Sequence, residues 1–130
     1  MAEEFIGQRL GVWQKRLQLQ DWRVSILMSH PRDLRAGTLG NIRWDPEGKT
    51  AVIRVLEASD YHIPFGAAMK DMEFTVVHEL IHLEFASMQR TEESRREEEY
   101  AVNHMADALL QLDREAPRQP VAIAKASTLP

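Results

Sequence analysis

Apolar residues along this chain change period from helical to strand-like and back, and each change marks a predicted element. Between residues 3 and 20, Ile6, Leu10, Trp13 and Leu17 recur at spacings of four and three, which lays one stripe along a helix. That stripe predicts an N-terminal helix packed on the core. Residues 22–28 then alternate, with Trp22, Val24, Ile26 and Met28 on one side, as in a strand with one buried face. The strand is expected to stop at His30-Pro31. Two more strand-like runs, 38–44 and 50–56, flank Asp45-Pro46-Glu47-Gly48, whose turn chemistry predicts a hairpin. Val52, Ile53 and Val55 are β-branched and suit the second of these strands. Residues 57–70 contain Pro64 and Gly66 and read as a loop.

A helix is predicted from Asp71, as N-cap, through Met88, with Glu73 in the first turn where the helix dipole favours an acid. Phe74, Val76, Val77, Leu80, Ile81, Leu83 and Phe85 make it apolar nearly all round, the mark of a central, buried helix. His78, Glu79 and His82 on such a helix each need a partner, because unpaired burial of a polar group is costly. A second helix follows Gln89-Arg90-Thr91. Ser94 to Glu97 matches a capping box, and Val102, Met105, Ala106, Leu109 and Leu112 form its stripe to about Asp113. Trp13, Trp22 and Trp44 are assigned to the core. Pro117, Pro120 and Pro130 predict an extended or mobile tail over 116–130, after a single domain over 1–115.

Composition narrows the classes. The chain has 130 residues, enough for one core, and a net charge of −4 with no long basic cluster, which argues against nucleic acid as a partner. No run approaches about 18 uncharged apolar residues and the N-terminus lacks a leader pattern, so no membrane partner and a cytoplasmic location are expected. With 0 cysteines, a metal could be held only by His, Asp or Glu.

Such a metal is what His78-Glu79-Leu80-Ile81-His82 suggests, since it spells H-E-x-x-H. Residues four apart on a helix share a face, so both imidazoles can reach one Zn2+ at about 2.0–2.1 Å. For this composition chance alone would supply roughly 0.02 such runs. A third ligand remains to be found. The metzincin extension would need Gly at 85 and His at 88, where Phe85 and Met88 stand. The cysteine ligand of the peptide deformylases has no counterpart. Glu97, Glu98 and Glu99 open the following helix: Glu97 is explained by its capping position, while Glu98 and Glu99 both stay open. Glu99 shares the inward face of Val102, Asn103 and Ala106, whereas His104, a further candidate, points away from Val102 and Ala106.

His78-Glu79-Leu80-Ile81-His82 combined with Glu98-Glu99-Tyr100-Ala101-Val102-Asn103 resembles the gluzincin metallopeptidases, most closely their minimal soluble members and the ImmA/IrrE-like relatives. The likeness spans about residues 71–113. It implies an α+β, zincin-like fold: an N-terminal helix, a three-stranded sheet containing a hairpin, the H-E-x-x-H helix, and a C-terminal helix bearing the ligand glutamate. It further implies zinc held by His78, His82 and Glu99, with Asn103 supporting a ligand histidine. Glu79 is then the general base for hydrolysis of peptide bonds in a peptide or protein substrate, and Tyr61, His62 or Tyr100 a candidate for oxyanion stabilisation. In zincins an edge strand binds substrate, and here either hairpin strand is open to that role. Asn103 stands where thermolysin-like enzymes have an acid, and their large helical lower domain has no counterpart. The tail segment Val121-Ala122-Ile123-Ala124 could occupy the cleft and inhibit. Two rivals remain: a zinc-binding regulatory or structural module with little turnover, and a zinc-dependent hydrolase of other amides.

Overall fold

Alternation in three short runs builds one sheet. The computed structural model describes residues 1–115. Its elements are α1 (Ala2–Arg16), β1 (Arg23–Ser29), β2 (Gly40–Asp45), β3 (Thr50–Leu56), α2 (Phe65–Glu84) and α3 (Glu92–Glu115), with single 3-10 turns at Pro31–Asp33 and Ala58–Asp60. The strand order is β1-β3-β2, with β3 parallel to β1 and antiparallel to β2. The expected hairpin is therefore β2-β3, and β2 is an edge. Ala51, Ile53 and Val55 are buried on the inner face of β3, while Val52 and Leu27 are exposed on the outer face. This is an antiparallel pair plus one parallel strand with one side covered, so period two survives in the sequence.

Helix α2 covers the inner face, and α1 and α3 pack against α2. Ile6, Leu10 and Trp13 of α1, Met72, Val76, Val77 and Leu80 of α2, and Val102, Ala106 and Leu110 of α3 share one cluster with the inner strand residues. The α+β class is thus as expected. The predicted core positions Trp13 and Trp22 are buried, and Trp44 is partly so.

Helix boundaries differ from the sequence expectations for local reasons. Helix α1 stops at Arg16, and Gln18 takes a φ of 60°, which no helix continues. Helix α2 begins at Phe65, six residues before Asp71: Pro64 sits just ahead of it, where a missing N–H costs nothing, and Ala67 and Ala68 carry the first turn. It ends at Glu84 rather than Met88, and Arg90 donates to the Phe85 carbonyl at 3.2 Å across the turn that follows. Helix α3 starts at Glu92 because the reciprocal cap uses Thr91 and Ser94, at 2.8 and 3.1 Å, not Ser94 and Glu97.

Glu73 is the largest correction. It lies inside α2, buried, and accepts from Arg9 Nε and Trp13 Nε1 of α1, both at 2.7 Å. Arg9 also donates to Asp113 of α3 at 3.1 Å, and Arg16 donates to Asp113 at 2.8 Å. Arg9 therefore ties three helices, joining Glu73 of the central helix to Asp113 of α3. Residues 116–130, with the predicted tail and its inhibitory segment, lie outside the described residues. Among the described residues no helix is long and apolar enough to cross a membrane.

Replacing Glu73 by Leu leaves the Arg9 Nε–H and the Trp13 N–H without their acceptor and Arg9 with Asp113 alone. Removing one partner of a buried ion pair costs about 3 kcal/mol or more. A shift of that size in the urea unfolding free energy is expected, and a loss under about 1 kcal/mol would show that the network is dispensable.

Candidate metal centre

On α2, His78 and His82 stand one turn apart on the same face, and α3 crosses in front of them. The His78 and His82 Nε2 atoms lie 3.2 Å apart. Glu99 of α3 spans both, with Oε2 at 3.1 Å from His78 Nε2 and Oε1 at 2.9 Å from His82 Nε2. Three donors on a tetrahedral zinc at about 2.0–2.1 Å would be separated by about 3.3 Å. The observed spacings, two of them to different oxygens of Glu99, are within a few tenths of an ångström of that value, so the two imidazoles and the Glu99 carboxylate could hold zinc. His78, Glu79 and His82 also offer ligand atoms that all lie within 4.8 Å of one another, so Glu79 stands next to the same space.

Electrostatics separate the two acids. Glu99 has a side chain about half exposed at the cleft. Glu79 is buried, and desolvation pushes its carboxyl up to about 7; Glu99 adds to the rise and His82 opposes it. A carboxyl that titrates near neutrality can both take and return a proton. Burial likewise holds His78 below the usual imidazole value, against the pull of Glu99, which favours the neutral ring that a metal requires.

The far side of each imidazole is treated differently. Glu98 accepts from His82 Nδ1 at 2.6 Å, and Arg90 grips Glu98 through Nε at 3.0 Å and Nη2 at 3.1 Å. Arg90 also lies over the Trp44 ring, 5.1 Å from its centre, which joins this brace to β2. With a metal bound, hydrogen bonding at Nδ1 would leave the Nε2 lone pair of His82 for the ion. Asn103 lies beside His78 and favours its charged form, yet His78 Nδ1 is buried with no hydrogen-bond partner among the described residues. The sequence left Glu98 and Glu99 open; the fold gives Glu99 the Nε2 side and Glu98 the Nδ1 side. The bracing role of Arg90 was missed, and only its position eight residues ahead of an acid hinted at it.

Above the imidazoles runs an open cleft of about 1120 Å3, walled by β2 and by Phe74, Thr75, Arg95 and Asn103 among others. Gly40 permits the approach of β2: a Cβ there would collide with the Thr75 methyl and the Arg54 carbonyl. Tyr61, His62 and Tyr100 do not line this cleft. Burial, with the Asp71 charge adding, pushes the Tyr61 hydroxyl up to about 12; Tyr100 is exposed with its ring 4.3 Å from that of His104. The cleft's cations are Arg35, Arg43, Arg90 and Arg95. His104 is exposed, and His30 pairs with Asp60 at 2.8 Å, so neither joins the triangle.

Glu98→Gln keeps the size of the brace but removes the charge that Arg90 and His82 share. If the site takes zinc through His82, its affinity, read by chelator competition, is expected to fall about tenfold or more, the cost of losing an outer partner of a ligand histidine. Unchanged affinity would assign Glu98 to packing alone. Comparison with protein-family models, with curated proteins and with solved structures finds no match for this chain, so the chemistry is read from the site's own atoms.

Proposed function

We propose that this protein is a zinc-dependent peptidase whose metal is held by His78, His82 and Glu99 and whose general base is Glu79. The observation that carries the reading is the meeting of His78 Nε2 and His82 Nε2, 3.2 Å apart, with the two carboxylate oxygens of Glu99, at 3.1 and 2.9 Å respectively, beside the buried carboxyl of Glu79 raised to about 7. Bound zinc would supply a Lewis acid that polarises a carbonyl and lowers the pKa of water.

The chain's own groups do the rest. Glu79 takes the proton from the attacking water and passes it to the leaving amine, so the carboxylate is regenerated in each cycle. Glu98 and Arg90 keep His82 in one orientation. Substrate binds along β2, the edge strand that walls the cleft. Leu56 N–H donates to the Leu39 carbonyl at 3.0 Å, so the antiparallel alternation leaves the backbone groups of Ile42 and Trp44 on the free edge. Those groups can pair with an extended peptide, whose main chain then supplies affinity irrespective of sequence. A peptide is favoured over a small amide because the cleft is large and open, at about 1120 Å3.

The purified full chain should take up one equivalent of zinc, measured by elemental analysis, and Glu99→Ala should lose it. Cleavage of a mixed peptide library should stop with a chelator and return with zinc. Glu79→Gln should keep zinc and lower turnover by about a hundredfold or more, the size of a general-base contribution. Zinc uptake with no cleavage of any peptide would replace this reading by that of a metal-binding regulatory module, and a full-rate Glu79→Gln enzyme would remove Glu79 from its role.

A further inference from the structure

The cleft is marked by guanidinium groups that the donor triangle does not use. Its walls carry four arginines, Arg35, Arg43, Arg90 and Arg95, and no lysine, in a chain whose net charge is −4. Four carboxyl groups line it as well, Asp33, Glu79, Glu98 and Glu99, but each is already engaged or buried. Asp33 accepts from the His30 backbone N–H at 3.2 Å, Glu98 is held by Arg90 and His82, Glu99 spans the two imidazoles, and Glu79 is buried. Arg90 is thereby neutralised. Among the described residues no carboxylate lies within ion-pair distance of Arg35 or Arg95.

Position makes these two useful. Arg95, Glu98, Glu99 and Asn103 fall on one face of α3, and all four line the cleft. Arg95 is four residues before Glu99, about 6 Å along the helix axis. An extended peptide covers that distance in about two residues. Arg35 reaches the same cleft from the segment that leads into β2. A planar guanidinium matches a carboxylate with two parallel hydrogen bonds, which makes arginine the better reader of an acid than lysine.

We infer that the cleft selects acidic peptides, with an Asp or Glu side chain within about two residues of the bond to be cut, and that Arg95 and Arg35 are the specificity-determining residues. The inference rests on the peptidase reading, and it names the substrate class of the same site. A divalent cation at the donor triangle strengthens the preference, because the cleft then carries more positive than negative charge.

The test uses the full chain loaded with zinc and three fluorescent decapeptides, identical except for Glu, Gln or Lys at one position scanned along the sequence. At the positions flanking the scissile bond, kcat/KM should fall in the order Glu, Gln, Lys. The Glu-to-Gln ratio should drop about threefold to fivefold in Arg95→Glu and in Arg35→Glu, the size of an exposed ion pair, and the Lys peptide should gain. The preference should fade in high salt. Arg95→Gln and Arg35→Gln provide neutral versions, with circular dichroism confirming the fold.

Fluorescence anisotropy of the same peptides on zinc-loaded Glu79→Gln protein reads the preference without turnover. If nothing is cleaved but the Glu peptide still binds best through Arg95, the charge selection stands and the peptidase reading falls. Equal kcat/KM and equal affinity for the three peptides, or competition by an oligonucleotide of matched charge as effective as that of the Glu peptide, would overturn the inference.

Discussion

Everything in this structure turns on one helix that is buried yet carries titratable groups. Glu73, His78 and Glu79 of α2 are all within the buried class, and His82 is nearly so. A polar group taken from water without a partner is a net loss, so each is met by another element or, as Glu79 is, pushed toward its neutral form. Glu73 is met by Arg9 and Trp13 of α1, and His78 and His82 are met by Glu99 of α3, with Glu98 behind. The needs of α2 therefore decide which face α1 and α3 present. The same contacts that dock the helices also form the proposed centre.

This arrangement divides the work by depth. Arg9, Glu73 and Asp113 sit on the side of the bundle away from the cleft, where ion pairs fix the helix packing. Glu98 and Arg90 occupy the next layer, touching one imidazole and the Trp44 ring of β2. Glu99 and Glu79 face the space where a metal and a peptide would sit. A displacement of α3 by one residue would exchange the faces of Glu98 and Glu99, and the packing of Val102, Ala106 and Leu110 against α2 resists it. The apolar core thus holds the register on which the proposed chemistry depends.

The proposed centre is asymmetric in a way that matters for its tuning. His82 is braced from behind by a carboxylate that is itself clamped by a guanidinium, whereas His78 depends on burial and on the cleft side. Burial lowers the basicity of the His78 ring. Glu79 stands between these environments in a dry corner, which is why a carboxyl there titrates close to neutrality. The edge strand completes the site because Gly40 lets it come against Thr75, one turn before His78.

Short-range pattern was enough for much of this. The period-two runs gave the hairpin, the stripe of Ile6, Leu10 and Trp13 gave α1, and the four-residue spacing of His78 and His82 put two donors on one face, because each signal lies within a single element. The stripe reading put Glu99 on the inward face of α3, but the fold puts Glu98 on the more buried side, one turn before Val102, and leaves Glu99 half exposed at the cleft. Glu73 was misread as a first-turn acid because its partners lie 60 and 64 residues away. The start of α2 was misplaced because Pro64 and Gly66 resemble a loop until the helix is seen to pack. Which hairpin strand is the edge, the grip of Arg90 on Glu98, and the exclusion of Tyr61 and Tyr100 from the cleft all depend on how separate elements cross. The sequence by itself determined which residue types share a helix face or a strand face. Only the tertiary structure decided which of those faces meet, because that choice is made by packing and by pairing of buried charge across long stretches of chain.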